Sequence, residues 1–278
     1  MGDRLPVTVV VPVKNEELSL AECLASVAWA EQIVVVDSHS SDRTGEIVEQ
    51  AGATLLQFDW NGGYPKKRNW VLQTYAFSTE WVLFLDADER LTPAFVSELR
   101  AAISNEDYAG YWLRYRIHFM GKVLNHGLPQ RKLALFRVGA GYFEQIDEER
   151  WSSLDMETHE HPILEGRVGE IGARIEHADY RGLENFIARH NAYSSWEARR
   201  FLALQEDGEK WRALTPRQKA KYKAVSRWWF PYAYFFYTYI FRLGFLDGRA
   251  GFVYAAFKLM YFFQTRQKIL EFRKKATS

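Results

Sequence analysis

Residues 80–89 read E-W-V-L-F-L-D-A-D-E, a short apolar run that stops at two carboxylates two positions apart. A run of this kind predicts a strand buried on both faces. Residues i and i+2 of an extended segment project to one side, so Asp86 and Asp88 share a face just past the strand's carboxyl end. In open α/β sheets ligands bind at that end. Two hard oxygen donors there make a seat for Mg²⁺ or Mn²⁺ carrying a substrate diphosphate. The plainer alternative is that Asp88 caps the helix predicted to start near Leu91-Thr92-Pro93.

The stretches before it alternate strand and helix. Val7–Val13 is a strand, and Lys14-Asn15-Glu16-Glu17 is a polar turn leading to a helix through Trp29. Gln32–Asp37 is a second strand, Ser38–Thr44 a turn rich in N-cap residues, and a helix runs on through Ala51. Ala53–Phe58 is a third strand, followed by a Gly62-Gly63 loop and a helix opened by Pro65. This pace implies a mostly parallel sheet. No G-x-G-x-x-G follows the first strand and no G-x-x-x-x-G-K-[ST] occurs, so dinucleotide-binding and P-loop readings lose their main support. Beyond Asn105 the pattern changes to longer strands over Tyr108–Met120 and Lys132–Arg137, with strand-like text at Glu157–His161 and Glu170–Ala178. From Leu183 the chain turns helical.

A length of 278 residues suits one large domain with an appendage. The formal charge of +1 hides an asymmetry. From Lys210 to Ser278 there are 15 Lys+Arg against two acids, and the first 209 residues hold 21 basic against 33 acidic side chains. The basic part is expected to meet something anionic. Cys23, the single cysteine, excludes a disulfide framework and fits small core filler. The amino terminus lacks the layout of a signal peptide, which sets the expectation of the cytosolic side of a membrane.

The accumulated residues resemble the family 2 glycosyltransferases over residues 6–180. V-P-V-K-N-E-E is similar to that family's opening strand and turn, with Pro12, Asn15 and Glu16 in place. V-D-S-H-S-S-D-R-T fits its D-x-x-S-x-D-x-T element at Asp37, Ser40, Asp42 and Thr44. Lys66–Asn69 resembles its basic-Asn segment, and L-D-A-D its D-x-D. T-H-E-H-P at Thr158–Pro162 resembles the bacterial branch that builds lipopolysaccharide core and envelope polysaccharide. It departs from the commoner acid-then-acid pattern at the base.

The resemblance implies a GT-A fold, a Rossmann-like mixed α/β sheet flanked by helices over residues 1–180, with a helical, aromatic-rich appendage over 181–278. It implies a metal-dependent inverting transfer from a nucleotide-sugar, a UDP-sugar for preference, to a lipid-linked or lipopolysaccharide-core saccharide. Asp37 is then expected to hydrogen-bond the base, with Pro12 and Glu16 beside base and ribose. Asp86 is expected at ribose or metal, Asp88 on the Mg²⁺ or Mn²⁺, and His177 as a further ligand. Arg68 is a candidate phosphate contact, since guanidinium pairs with such oxygens. Glu160 is the chosen general base, with Asp155 its competitor and Asp147 a weaker one. Arg131 is assigned to the acceptor side. For Asp37, Arg68 and His177 the structural alternatives stay open: a strand-end turn residue, a solvent-facing arginine and a satisfied histidine.

Residues 228–263 hold 17 of the chain's 44 aromatic residues. Trp228–Phe241 is free of charge but short of the roughly 18–20 apolar residues a spanning helix takes. Two amphipathic helices joined near residues 244–248 are expected to lie in the interface of an anionic membrane. Trp228, Trp229, Phe230, Tyr234, Arg242, Phe245 and Lys258 are the contact residues. Packing against the catalytic domain, or a homo-oligomer contact, is the alternative, and single-stranded nucleic acid the weakest reading. Sugar-phosphate nucleotidyltransferase and a non-catalytic nucleotide-sugar sensor or scaffold are the competing functions.

Overall fold

The computed structural model describes residues 4–146, 148, 160–179 and 181–277. Two compact units divide them: one runs to Ile117 and resumes from Pro129 to residue 179, the other comprises His118–Leu128 and the chain from Arg181 on.

The first unit grows from β1 (Leu5–Val13), nearly every residue of which is buried. Its valines alternate between the two faces of a sheet. Val7, Val9, Val11 and Val13 join one apolar cluster with Leu83, Leu85, Phe95 and Leu99. Val10 joins the other, with Val34, Val36, Val82 and Phe84. Each such side chain, fully buried, stabilises the fold by about 1.5–3 kcal/mol. Parallel neighbours β2 (Ala30–Asp37) and β4 (Trp81–Phe84) flank β1, and β3 (Thr54–Gln57) pairs with β2. Helices α1 (Leu20–Ser26), α2 (Thr44–Gln50) and α4 (Pro93–Ile103) contribute to the first cluster, and α3 (Lys67–Thr74) places Val71 in the second.

Past β4 the sheet becomes mixed. Its order is β3-β2-β1-β4-β8-β6-β11-β5, with β8 (Gln130–Arg137) antiparallel to both β4 and β6 (Gly110–Phe119). The edge strand β5 (Glu89–Arg90) pairs antiparallel with β11 (Val168–Ala178), setting His177 opposite Glu89. A separate ribbon joins β9 (Gly141–Phe143) to β10 (Pro162–Leu164). The strand expected over Glu157–His161 thus appears at Pro162–Leu164, residues 157–159 lying outside the described part. Helix α4 takes its cap from Thr92, whose hydroxyl accepts from Phe95 N, with Pro93 in the first turn. Asp88 is not that cap.

The second unit is helical: α5 (Gly182–Glu206), α6 (Gly208–Ala213), α7 (Pro216–Val225), α8 (Phe230–Phe236) and α9 (Gly248–Thr277). A π-helical turn (Tyr237–Phe241) and a 3₁₀ turn (Gly244–Asp247) connect α8 to α9. Thr215 and Gln218 form a capping box at α7. Its core is small, built on Phe201, Leu204, Tyr222, Val225 and Ile269. The short strand β7 (Lys122–Leu124) belongs with it. Of the tail residues expected to meet lipid, Trp228, Trp229, Arg242 and Phe245 are exposed. Phe230 and Tyr234 instead pack on Phe262, with ring centroids 5.0 and 4.7 Å away, and Lys258 lies 5.4 Å over the Tyr254 ring. Among the described residues no helix is long and apolar enough to cross a membrane.

Candidate active site

The polar ends of β1 and β2 are stitched together by short side chains. Asn15 adopts a left-handed conformation (φ 55°), in which its Oδ1 accepts from Ser41 N at 2.8 Å while its own N–H donates to Ser40 Oγ. Glu16 N donates to Thr44 Oγ1, and Glu17 N to Asp42 Oδ2. Asp37 is buried, and its carboxylate accepts from Ser40 N, Ser40 Oγ and Gln57 Nε2. The D-x-x-S-x-D-x-T element is therefore a fixed loop holding the β1 turn. Pro12 sits half-buried opposite Val36.

The start of α3 reaches three places at once. Lys67 Nζ donates to the carbonyl of Val13 at the end of β1 (3.2 Å). Arg68 Nη2 donates to Asp86 Oδ1 at the end of β4 (3.0 Å). Lys66, the buried residue just ahead of α3, pairs with Glu148 and stands 4.0 Å from Glu160. Asn69 exchanges two hydrogen bonds with the backbone of Phe143, anchoring the helix to β9. The four residues of K-K-R-N thus tie two of the residues singled out from the sequence, Asp86 and Glu160, to the ends of β1 and β9.

Asp86 and Asp88 have different partners. The Asp86 carboxylate is gripped by Arg68 and by Lys132, whose Nζ also reaches Glu89 Oε1 at 2.5 Å. Glu89 in turn accepts from Asp86 N (3.1 Å), closing the turn on itself. Burial alone would raise the Asp86 pKa, but the Lys132 and Arg68 charges outweigh it and hold the carboxyl well below its usual range. Burial dominates at Glu89 and pushes it up to about 7, against the lowering pull of Lys132. Asp88, by contrast, faces His177, with Nε2 and Oδ2 3.4 Å apart. Burial opposes ionisation of both, yet their mutual attraction prevails, lowering the carboxyl and raising the imidazole. His177 Nδ1 is buried with no hydrogen-bond partner among the described residues.

Among the described residues no three His, Cys, Asp or Glu side chains are grouped to hold a metal ion. Asp88 and His177 nonetheless form a carboxylate-imidazole pair suited to a divalent cation that completes its shell with phosphate oxygens and water. Asp86 is committed to side-chain cations.

Glu160 is buried and lines a cavity of about 100 Å³ with Gly62, Gly63, Tyr64, Gln145 and Glu148. Asp155 and Asp147 lie outside the described residues. Arg131, expected on the acceptor side, lies 5.3 Å over the Trp112 ring and 3.8 Å from Glu170, while the next residue, Lys132, points to the carboxylates. Arg137 stacks on Trp81 and pairs with Glu80, a surface role. Lys132, Glu89 and Glu148 are the residues that reading the sequence missed, and Lys66 enters that reading only as part of the basic-Asn segment. Alternation on β8 was the available signal for the first of them.

Relatives carry related names. A lipopolysaccharide core biosynthesis glycosyltransferase, LpsC of Rhizobium meliloti, is 29% identical over 98% of this chain and 94% of its own. An uncharacterised glycosyltransferase of Rickettsia felis is 25% identical over 86% of this chain and 81% of its own. Among solved structures, S. aureus TarS 1–349 in complex with UDP aligns with a TM-score of 0.45 at 16% identity, covering 98% of this chain and 92% of that one. Residues 8–161, more than half of the sequence, match the family described as Glycosyl transferase family 2, and the chain belongs to that family.

Proposed function

We propose that this glycosyltransferase moves a sugar, with inversion, from a UDP-sugar to a lipid-linked or lipopolysaccharide-core saccharide at the cytoplasmic face of the membrane, using Mg²⁺ or Mn²⁺. The observation that carries the reading is the basic start of α3, which lies against the ends of β1 and β4 and against Glu160. The first turn of a helix favours negative charge, and here it carries three cationic side chains as well. That is a seat for a diphosphate. The acceptor class is supported by the role named for LpsC, similar along nearly its whole length.

Each residue then has a task. The loop around Asp37 and Asn15 frames the base and ribose. Arg68, fixed by Asp86, presents its guanidinium to phosphate oxygens, and Lys132 keeps Asp86 and Glu89 from repelling the incoming charge. Asp88 and His177 would hold the divalent cation, which when bound would supply Lewis-acid neutralisation of the leaving diphosphate. Glu160 takes the proton of the acceptor hydroxyl as its oxygen bonds to the anomeric carbon. The carbon–oxygen bond to the diphosphate breaks on the opposite face and leaves its electron pair there. Lys66 pairs closely with Glu148 and stands 4.0 Å from Glu160, which puts a cation beside the proposed base. The aromatic tail would bring the site to acceptors held in the membrane.

The test is nucleotide release from a panel of UDP-, GDP- and dTDP-sugars with Mg²⁺ or Mn²⁺ and a lipid-linked saccharide acceptor. Glu160→Gln should retain donor binding and stop transfer. Normal transfer by that variant would place the base elsewhere.

A further inference from the structure

The turn between α8 and α9 is built against several local preferences at once. The helical ladder shifts from α to π over Tyr237–Phe241. Such turns are rare and cluster at functional sites. Leu243 follows in the left-handed region (φ 59°), which a γ-branched residue seldom occupies. The chain then closes so tightly that a Cβ on Gly244 would stand 2.8 Å from Thr238 O, and one on Gly251 would stand 2.1 Å from Gly244 O. Asp247 locks the corner from inside the unit. It accepts from Asn125 N and His126 N and pairs with His126 Nδ1 at 2.9 Å.

What this costly corner achieves is the outward display of large apolar side chains. Phe241 is 76% exposed, Leu246 56%, Phe236 56%, and Leu243, Tyr237 and Phe245 more than two-fifths. Trp228, just ahead of α8, is 68% exposed. The exposed charges among them are Arg227, Arg242 and Arg249, while the one acid of the segment, Asp247, is turned in toward His126. A patch of this size on a surface meeting only water is unusual. Its aromatic and arginine content, with no outward acid, complements an anionic lipid surface rather than a mixed-charge protein face.

We propose that the corner at residues 236–246 is a membrane-insertion wedge: Phe241, Leu243 and Leu246 enter the acyl region while Arg242 and Arg249 stay at the phosphates. This rests on the membrane-face reading above and sharpens it. The hairpin engages by its tip, not by lying along its length. Aromatic residues farther along α9, such as Phe262, are occupied with Phe230 and Tyr234.

The full chain is floated with vesicles of phosphatidylcholine mixed with phosphatidylglycerol, alongside two double variants. Phe241→Ser with Leu246→Ser removes the wedge, and Met260→Ser with Phe263→Ser removes exposed apolar side chains farther along α9. The wedge variant should lose vesicle binding by about tenfold or more, and the α9 variant should stay within about twofold of wild type. Because Cys23 is buried, a thiol placed by Phe241→Cys can be labelled selectively with a fluorophore. Brominated acyl chains should quench it strongly, and the same label at Phe263→Cys weakly. Equal loss by both double variants, or equal quenching, overturns the wedge and leaves the membrane reading standing. A wild type that floats with no vesicle sinks both. If it instead runs as a dimer that the wedge variant dissociates, the corner is a contact with a second copy.

Discussion

The two units of this chain put their large apolar side chains in opposite places. In the first, apolar strands are sealed inside and charges collect where the strands end, around Asp86, Asp88 and Glu160. In the second, Glu197 is fully buried with Lys221 on it, and Lys268 donates to Asn191, Ser194 and Ser195, while Trp228, Phe236 and Phe241 face outward. The first arrangement is what water selects. The second fits a helical unit whose outer surroundings are not only water. The difference teaches that the aromatic richness of residues 228–263 does not measure a core.

The contrast can be broken in several ways. Asp88→Asn should reduce transfer by about 10²–10³ or more, because the paired carboxylate is lost where leaving-group charge develops; steady-state kinetics at saturating Mn²⁺ checks it. No exposed aromatic of the second unit should approach that effect on a soluble acceptor.

Stability should divide the units just as sharply. Leu83→Ala, in the first core, should cost about 3 kcal/mol. Phe241→Ser removes a larger side chain yet should move urea-denaturation stability by no more than about 0.5 kcal/mol. Similar costs would mean that Phe241 is packed in the folded state.

Two lysines sharpen the point further. Lys132→Met leaves Glu89 buried without its cation, but the Lys132 side chain is more than a third open to solvent, so the cost should be about 1–2 kcal/mol, with transfer falling roughly tenfold. Lys268→Met strands only neutral oxygens and should lower stability slightly with kcat intact. The smallest expected effect is one of pH. Asp88 raises the pKa of His177 despite burial, and a cation binds only the neutral imidazole. Protonation therefore competes with Mn²⁺, whose affinity, followed by electron paramagnetic resonance, should rise from about pH 6 to about pH 8.

Much of the first unit was legible because strand burial leaves a direct mark on sequence. The alternation of strands and helices, the D-x-D at a strand end and the family 2 glycosyltransferase assignment all follow from local patterns, and the nucleotidyltransferase alternative gives way to that assignment. The rest depends on contacts between distant positions. Arg131 and Lys132 are alike in charge, and alternation on β8 says only that they face opposite sides; the place of β8 between β4 and β6 decides which one reaches Asp86. The meeting of Lys66 with Glu148 and Glu160 spans more than eighty residues. In the tail, Phe230, Tyr234 and Lys258 are expected at lipid, but Phe230 and Tyr234 pack on Phe262 of α9 and Lys258 lies over Tyr254 of its own helix. The grouping of residues 118–128 with the helices left no trace in their sequence.

The division of labour between the two aspartates is the centre of this account. Crystals grown with UDP and Mn²⁺ and measured for anomalous scattering test it most directly. A single manganese peak should lie within coordination distance of Asp88 and His177 and against the diphosphate, with Asp86 still held by Arg68 and Lys132. Manganese on Asp86 with Lys132 displaced, or a diphosphate bound away from the start of α3, would contradict it.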